Sequence, residues 1–533
     1  MARRASLCFL LGATLAGCRF GDDTPDETGS VGADADTDVD ADTDADTDAD
    51  TDTDTGTAAI LLAERDTRTY GEIDVEVLTY VMPGAGYADP DGEPPVFYLI
   101  KPVTFTETGP RPVLTWLHGS AQGVDDDPTR DDRCGTDGIA GVVADAVTER
   151  HFVAAEIADR QWLWVIPENP WCDLWTGLGD ADPVDPAHHG AEHVHTVLDA
   201  VIDGLDGVQA DPERIYGWGT SIGAAGVLTT SNGYGTDFAG VVVDSGPINP
   251  VSWYDLPSEA PYLDHILGGP PYDDAGAPTA FYPNYQRADG TLLVSELGYR
   301  VPMFVVYNRY DTLVPERQNV ALGEALAEHY DGVRYFHHDV AHHAPANSFH
   351  VQTGYERPPF SYTSRAAFAF LAGADVRFFE AEDTCTGDCT TVAETGTGAL
   401  EASSAYSQGA AVVRDAAAGA GVMYTAELPA DVPRGVPLTI VPAVAASDLA
   451  GATPADGVVT FALEQDGTTI AEFPVTRGDL AAGNAETHAA YYLQVENTTW
   501  RVGEGLPTGT LTLTATYEGR GEVWLDGFWV FVE

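Results

Sequence analysis

The segment Arg-Ile-Tyr-Gly-Trp-Gly-Thr-Ser-Ile-Gly-Ala-Ala-Gly, residues 214–226, constrains this chain more than any other. Its centre, Gly219-Thr220-Ser221-Ile222-Gly223, sets a serine two residues from a glycine on either side. Asp211-Pro212 opens a turn, Arg214 to Trp218 reads as a short strand, and Ile222 to Thr230 reads as a helix of small residues. A serine at the apex of a sharp strand-to-helix turn is held in a strained backbone conformation. The chain on either side then passes so close that a Cβ at Gly219 or Gly223 would clash. Glycine and serine are common residues, however, so the reading depends on partners elsewhere in the chain.

The N-terminus reads as an export signal over residues 1–18. Arg3 and Arg4 supply the positive region, Leu7 to Ala13 the apolar core, and Leu15-Ala16-Gly17-Cys18 the processing site. The apolar run is too short to span a bilayer. It resembles a bacterial lipobox, which implies that Cys18 is lipidated and becomes the mature N-terminus; an ordinary signal peptide with a chance cysteine is the alternative. Arg19, rather than Asp, follows the cysteine, which implies an anchor at the outer membrane or cell surface.

Residues 19–57 read as a tether. Every even position from Asp34 to Asp54 is aspartate, interleaved with Ala, Thr and Val. Such a run has nothing to bury and repels itself, so an extended, solvated segment is expected. Calcium is the competing reading, but the tract lacks a glycine-turned ligand loop. The whole chain carries a net charge of −59 and a single lysine, Lys101, which excludes nucleic acid as a partner because phosphate would be repelled.

From Ala58 to Ala374 strands and helices alternate, the pattern of an α/β sheet. Glu72 to Tyr80 and Val96 to Lys101 read as opening strands. Val113 to Leu117 follows, ending in His118-Gly119-Ser120, and then Trp162 to Ile166. After the Ser221 turn come Gly240 to Val243, Met303 to Tyr307 and Val333 to His337, with a closing helix from Arg365 to Leu371. Residues 375–533 lose helical periodicity. Short alternating runs such as Leu438 to Val441, Val458 to Leu463, Thr510 to Thr516 and Glu522 to Val532 predict a β-sandwich. Export permits disulfides, and domain membership pairs Cys134 with Cys172 and Cys385 with Cys389. Zinc on these four thiols is disfavoured, since the pairs fall in different domains.

A nucleophilic serine needs a histidine to take its proton and an acid to orient that histidine. Met303 to Tyr307 runs into Asn308-Arg309-Tyr310-Asp311-Thr312-Leu313-Val314-Pro315, placing Asp311 just after a buried strand. The competing reading makes Asp311 a cap for a helix starting near Pro315. After the next strand, Ala341-His342-His343-Ala344-Pro345 offers two candidate bases, with His342 favoured over His343. His337 and His338 come too early and His350 too late. Backbone donors for an oxyanion are expected at Ile222 and at Gly119 or Ser120, with His118 orienting the loop. Trp171 and Trp175, at the carboxyl edge of the sheet, are candidates for stacking on a ligand, with core packing of one of them as the alternative. His188, His189, His193 and His195 cluster at a helix start, and ordinary helix-end histidines explain them better than zinc.

Taken together, Arg214–Gly226, His118-Gly119 and Asp311 with Val314-Pro315 resemble the α/β-hydrolase superfamily, and within it secreted esterases related to feruloyl esterases and polyhydroxybutyrate depolymerases. The resemblance covers roughly residues 95–372 and departs from the family at Ser120 and Ile222. Phe379 to Asp383, Gly509 to Leu513 and Val523 to Phe528 resemble galactose-binding-type carbohydrate-binding modules; a non-binding accessory sandwich that packs on the hydrolase is the alternative. The resemblance implies a doubly wound α/β-hydrolase sheet, then an all-β sandwich. It also implies a serine esterase acting without a cofactor or metal on acetyl or feruloyl esters of polysaccharide, or on a polyester. A serine peptidase and a non-catalytic surface binding protein are the alternatives. The membrane is a partner only through the Cys18 lipid.

Overall fold

The computed structural model describes residues 60–70, 73–85, 87, 93–106, 108–119, 152–169, 174–175, 190–234, 238–307, 311, 313–339, 362–387, 389–393, 410–430, 432–447, 449, 451–482, 500–502 and 506–532. The export signal, Cys18, the aspartate tract, Cys134 and Cys172 lie outside them.

The first part is a nine-stranded mixed sheet. Its strands are β1 (Leu61–Tyr70), β2 (Ile73–Val81), β3 (Val96–Pro102), β4 (Arg111–Leu117), β5 (Leu163–Pro167), β6 (Ala210–Thr220), β7 (Gly240–Asp244), β8 (Met303–Tyr307) and β9 (Tyr335–Asp339). The spatial order is β1-β2-β3-β5-β4-β6-β7-β8-β9. The first three strands and β5 pair antiparallel, whereas β5, β4, β6, β7, β8 and β9 run parallel. β4, β5, β7 and β8 are buried along their whole length, as parallel strands covered on both faces must be.

Crossovers supply helices α1 (Phe152–Arg160), α2 (Gly190–Asp203) and α3 (Ile222–Tyr234). Four short helices intervene between β7 and β8: α4 (Pro250–Tyr254), α5 (Ala260–Leu267), α6 (Tyr282–Arg287) and α7 (Gly290–Ser295). Then come α8 (Glu316–His329) and α9 (Tyr362–Leu371). One face of the sheet packs through Leu99, Val113, Val241 and Val305 against α2, α3 and α8.

Most strands start within about a turn of the sequence reading. Two differences have clear causes. β9 begins at Tyr335, two residues later than expected, because Val333 donates its N–H back to Tyr330 in a turn made by Gly332 at φ +74°. β1 has no counterpart in the sequence reading: it is an exposed edge strand carrying Glu64, Arg65, Asp66 and Arg68, so it shows no buried alternation. Lys101, the single lysine, ties this edge together through Glu76 at 3.2 Å and Asp206 at 2.6 Å, with Arg65 paired to the same two acids.

The second part comprises β10 (Asp375–Glu380), α10 (Ala381–Thr384), β11 (Thr391–Ala393), β12 (Ala410–Asp415), β13 (Gly421–Glu427), β14 (Leu438–Ser447), β15 (Gly457–Gln465), β16 (Thr468–Thr476), α11 (Arg477–Ala482), β17 (Trp500–Val502), β18 (Leu511–Tyr517) and β19 (Glu522–Val532). They form a sheet ordered β11-β12-β19-β14-β17, to which β10 adds on β19, and a sheet ordered β13-β18-β15-β16. All of these pairings are antiparallel. Cys385 and Cys389 form a disulfide.

The two parts share a core. Along β19, Phe528, Val530 and Val532 point into the sandwich, while Trp529 and Phe531 point the other way into the core of the nine-stranded sheet. Val441 and Ala443 of β14 do the same. They join α1 and α9 in covering Trp116, Trp218, Phe304 and Val306. Trp529 lies 5.4 Å from Phe336 and 4.7 Å from Phe378 between ring centres, and it is fully buried. His338 of β9 meets Glu380 of β10 at 2.8 Å. β10, β14 and β19 thus act as a third layer of the α/β part.

Candidate active site

Parallel strands bring their carboxyl ends to one edge of the sheet. Here β4 ends at Leu117 before His118-Gly119, β6 at Thr220 before Ser221, and β7 at Asp244. β8 ends at Tyr307, shortly before Asp311, and β9 ends at Asp339. The registers confirm a shared edge: Leu117 lies opposite Gly219, Thr220 opposite Asp244, and Asp244 opposite Val306. The topology thus places Ser221, Gly119 and Asp311 on the side where doubly wound sheets bind ligands. His342, His343, Ser120 and Trp171 lie outside the described residues.

Ser221 has φ +56°, a left-handed conformation that is strained for a residue with a Cβ. Its N–H donates to the Asp244 carbonyl at 2.9 Å, fixing the turn. The glycines follow from contact distances. A Cβ on Gly219 would stand 1.9 Å from the Gly223 carbonyl oxygen, and one on Gly223 would stand 1.8 Å from that of Leu117. Helix α3 starts at Ile222, so the N–H groups of its first turn and the positive end of its dipole lie directly beside the serine. Gly119 comes equally close, since a Cβ there would meet Ser221 Cβ at 3.0 Å and Oγ at 3.6 Å.

His118 is buried, and its two ring nitrogens have different jobs. Nε2 accepts the Asn169 N–H at 3.1 Å, so the proton sits on Nδ1, which donates to the Gly119 carbonyl at 2.6 Å. Burial lowers its pKa to about 4, although the bond to Gly119 works in the opposite direction. A neutral imidazole therefore braces the Gly119 peptide next to Ser221.

Asp311 is buried, and its Oδ1 accepts the N–H groups of Leu313 and Val314, both at 2.8 Å. This closes a turn ahead of α8, whose N-cap position is Pro315, so Asp311 is not that helix's cap. Bonds to two backbone donors fix the carboxylate's orientation.

Trp175 requires a correction. It is fully buried, lies edge-on to His118 at 5.2 Å, and fills the space left by Gly226, where a Cβ would stand 2.5 Å from its ring. It packs α3 against the Gly119 loop and has no face open to a ligand. The glycine three residues after Gly223 was the available signal for that packing. The four short helices were also not anticipated. α4, α5 and α6 share a core of Trp253, Tyr262, Leu263 and Tyr285 with Ile222, the residue after the serine, while α7 packs through Leu293 and Val294 into the sheet's core.

His193 likewise has both ring nitrogens committed to protein. Nε2 donates to the Val96 carbonyl at 2.9 Å and Nδ1 accepts from Tyr87 Oη at 3.1 Å, which removes it from any zinc set. Burial brings its pKa to about 4 despite the Val96 bond. For His118 and His193 the folded state resists a proton that the unfolded state accepts below its value of 6.5. Stability should therefore fall as the pH drops from about 6.5 toward 4, by roughly 3 kcal/mol per histidine. Asp289 opposes this in part: burial raises its pKa to about 6, so between that pH and 3.8 acidification favours the folded state through this group. Urea denaturation from pH 7.5 to 4.5 should show a net loss of stability, with a shallower slope in His193→Gln.

Neither a family model nor a curated protein matches the chain. Among solved structures it is similar to an S-formylglutathione hydrolase from Agrobacterium tumefaciens, with 17% identity, 52% of this chain and 88% of that one covered, and a TM-score of 0.35. It is also similar to acetyl xylan esterase 1 from Thermoanaerobacterium sp., with 13% identity, 52% and 78% covered, and a TM-score of 0.31. An acylaminoacyl peptidase from Pyrococcus horikoshii gives 13% identity and a TM-score of 0.33, with 52% of this chain but only 44% of the peptidase covered. The fold is a mixed, mostly parallel sheet with Ser221 on a strand-to-helix turn at its carboxyl edge.

Proposed function

We propose that the protein is an exported serine esterase, anchored at the outer membrane or cell surface by a lipid on Cys18. The observation that carries this reading is the strained Ser221 turn, wedged by Gly219 and Gly223 and faced by Gly119, with Asp311 at the end of a strand in the same parallel array.

In this reading the Ser221 hydroxyl attacks an ester carbonyl while His342, or His343, takes its proton. Asp311 holds the imidazole in the required tautomer and offsets its charge. Backbone N–H groups of Ile222 and of Gly119 or Ser120 hold the tetrahedral oxyanion, and the histidine then protonates the leaving alcohol. Water repeats the sequence on the acyl-enzyme. No step calls for a metal or cofactor.

The resemblance of residues 375–533 to galactose-binding-type modules supports an ester carried on polysaccharide, with acetyl or feruloyl as the acyl group. The test is a panel of acetyl and feruloyl esters on aryl and sugar alcohols, run beside matched peptide anilides on the purified protein. Turnover of esters well above the anilides is expected. Anilide turnover equal to that of the esters would replace the esterase with a peptidase, and inertness toward both would favour a binding protein.

A further inference from the structure

Asp311 sits on a loop, yet its position is fixed from outside that loop by α4. The Trp253 indole N–H donates to the Leu313 carbonyl at 2.9 Å, while the Val314 N–H of the same peptide unit donates to Asp311 Oδ1 at 2.8 Å. One peptide unit is thereby held on both sides. Around it, the start of α8 is tied to α4 three more times. The Asn249 N–H donates to Gln318 Oε1 at 2.7 Å, Gln318 Nε2 donates to Ser252 Oγ at 2.8 Å, and Arg317 donates to the Ser252 carbonyl at 2.6 Å. Gln318 is fully buried and Trp253 nearly so. The Asn249 side chain, which receives the Ser252 N–H at 2.8 Å, donates to Asp289 at 2.8 Å. The Trp253 ring also belongs to the apolar cluster that holds Ile222, next to the nucleophile. Helix α4 thus bonds to the acid side of the site and shares an apolar cluster with the residue after the serine.

We propose that α4 is a clamp that positions Asp311, with Trp253 and Ser252 as its positioning residues. This rests on the reading of Asp311 as the acid that orients the catalytic histidine. The clamp transmits position through hydrogen bonds to the backbone of Leu313 and to Gln318. Its loss should therefore lower kcat while leaving KM nearly unchanged.

The test is a double-mutant cycle on the full chain with p-nitrophenyl acetate. Trp253→Phe keeps an aromatic ring near Tyr262, 6.0 Å away, and removes the N–H together with two ring carbons, so a thermal melt accompanies the kinetics. It should lower kcat by about tenfold with KM unaltered. Asp311→Asn alone should lower kcat by about 10³- to 10⁴-fold, and adding Trp253→Phe to it should cost nothing further. Unchanged kcat in Trp253→Phe, or an equal loss in both backgrounds, would overturn the clamp while leaving the acid in place. Full activity in Asp311→Asn would instead overturn the reading of the acid, and the clamp with it. If Trp253→Phe does not fold, Ser252→Ala enters the same cycle with a loss of about threefold, and the same outcomes decide.

Discussion

Replacing Ser221 by alanine is expected to cut ester turnover by about 10⁴- to 10⁶-fold while the protein stays folded. Alanine has the same Cβ at φ +56°, so the turn keeps its strain and the Ser221 N–H its bond to Asp244. Only the hydroxyl is lost. Glycine in the same position should be equally inactive but more stable than alanine, because it adopts this conformation without the cost of about 1–2 kcal/mol that a Cβ imposes. Kinetics on p-nitrophenyl esters and thermal melts of the two variants check both statements. Turnover near that of the parent protein in either variant would remove Ser221 from the chemistry.

Removing residues 375–533 is expected to abolish folding of the remaining α/β part. The deletion strips Trp529, Phe531, Val441 and Ala443 from the core they share with Phe304, Phe336 and α9. Each large side chain so uncovered forfeits about 1.5–3 kcal/mol, and a handful of them matches the 5–15 kcal/mol by which a domain is usually stable. His338 loses Glu380 in the same cut. The full chain should accordingly unfold in one calorimetric transition, with Trp529→Ala lowering the stability of the whole by about 3–5 kcal/mol. A soluble, active fragment ending at Ala374, or two separate transitions, would show the sandwich to be independent.

Much of this was legible from residue pattern alone. Strands β4, β5, β7 and β8 announce themselves as short apolar runs because both of their faces are covered. Gly219 and Gly223 announce the turn because no Cβ fits there. The shared core was legible in principle. Val523-Trp524-Leu525 and Phe528-Trp529-Val530-Phe531-Val532 are apolar at every position, whereas a strand with one wet face alternates. Read only as a sandwich strand, that run conceals its second layer. Trp175 was misread because a tryptophan after a strand looks the same whether it fills a hole over Gly226 or faces a ligand; the difference lies in a contact 51 residues away in sequence. β1 escaped notice because an edge strand is selected for charge rather than for alternation. The helices between β7 and β8 are five to eight residues long, too short for a helical period to emerge.

The central claim is that Ser221 is an activated nucleophile, and a fluorophosphonate probe tests it most directly. Native protein should take up one phosphonyl group, and peptide mapping should place it on Ser221. Absence of labelling in the folded protein, or an adduct on any other residue, would contradict the account.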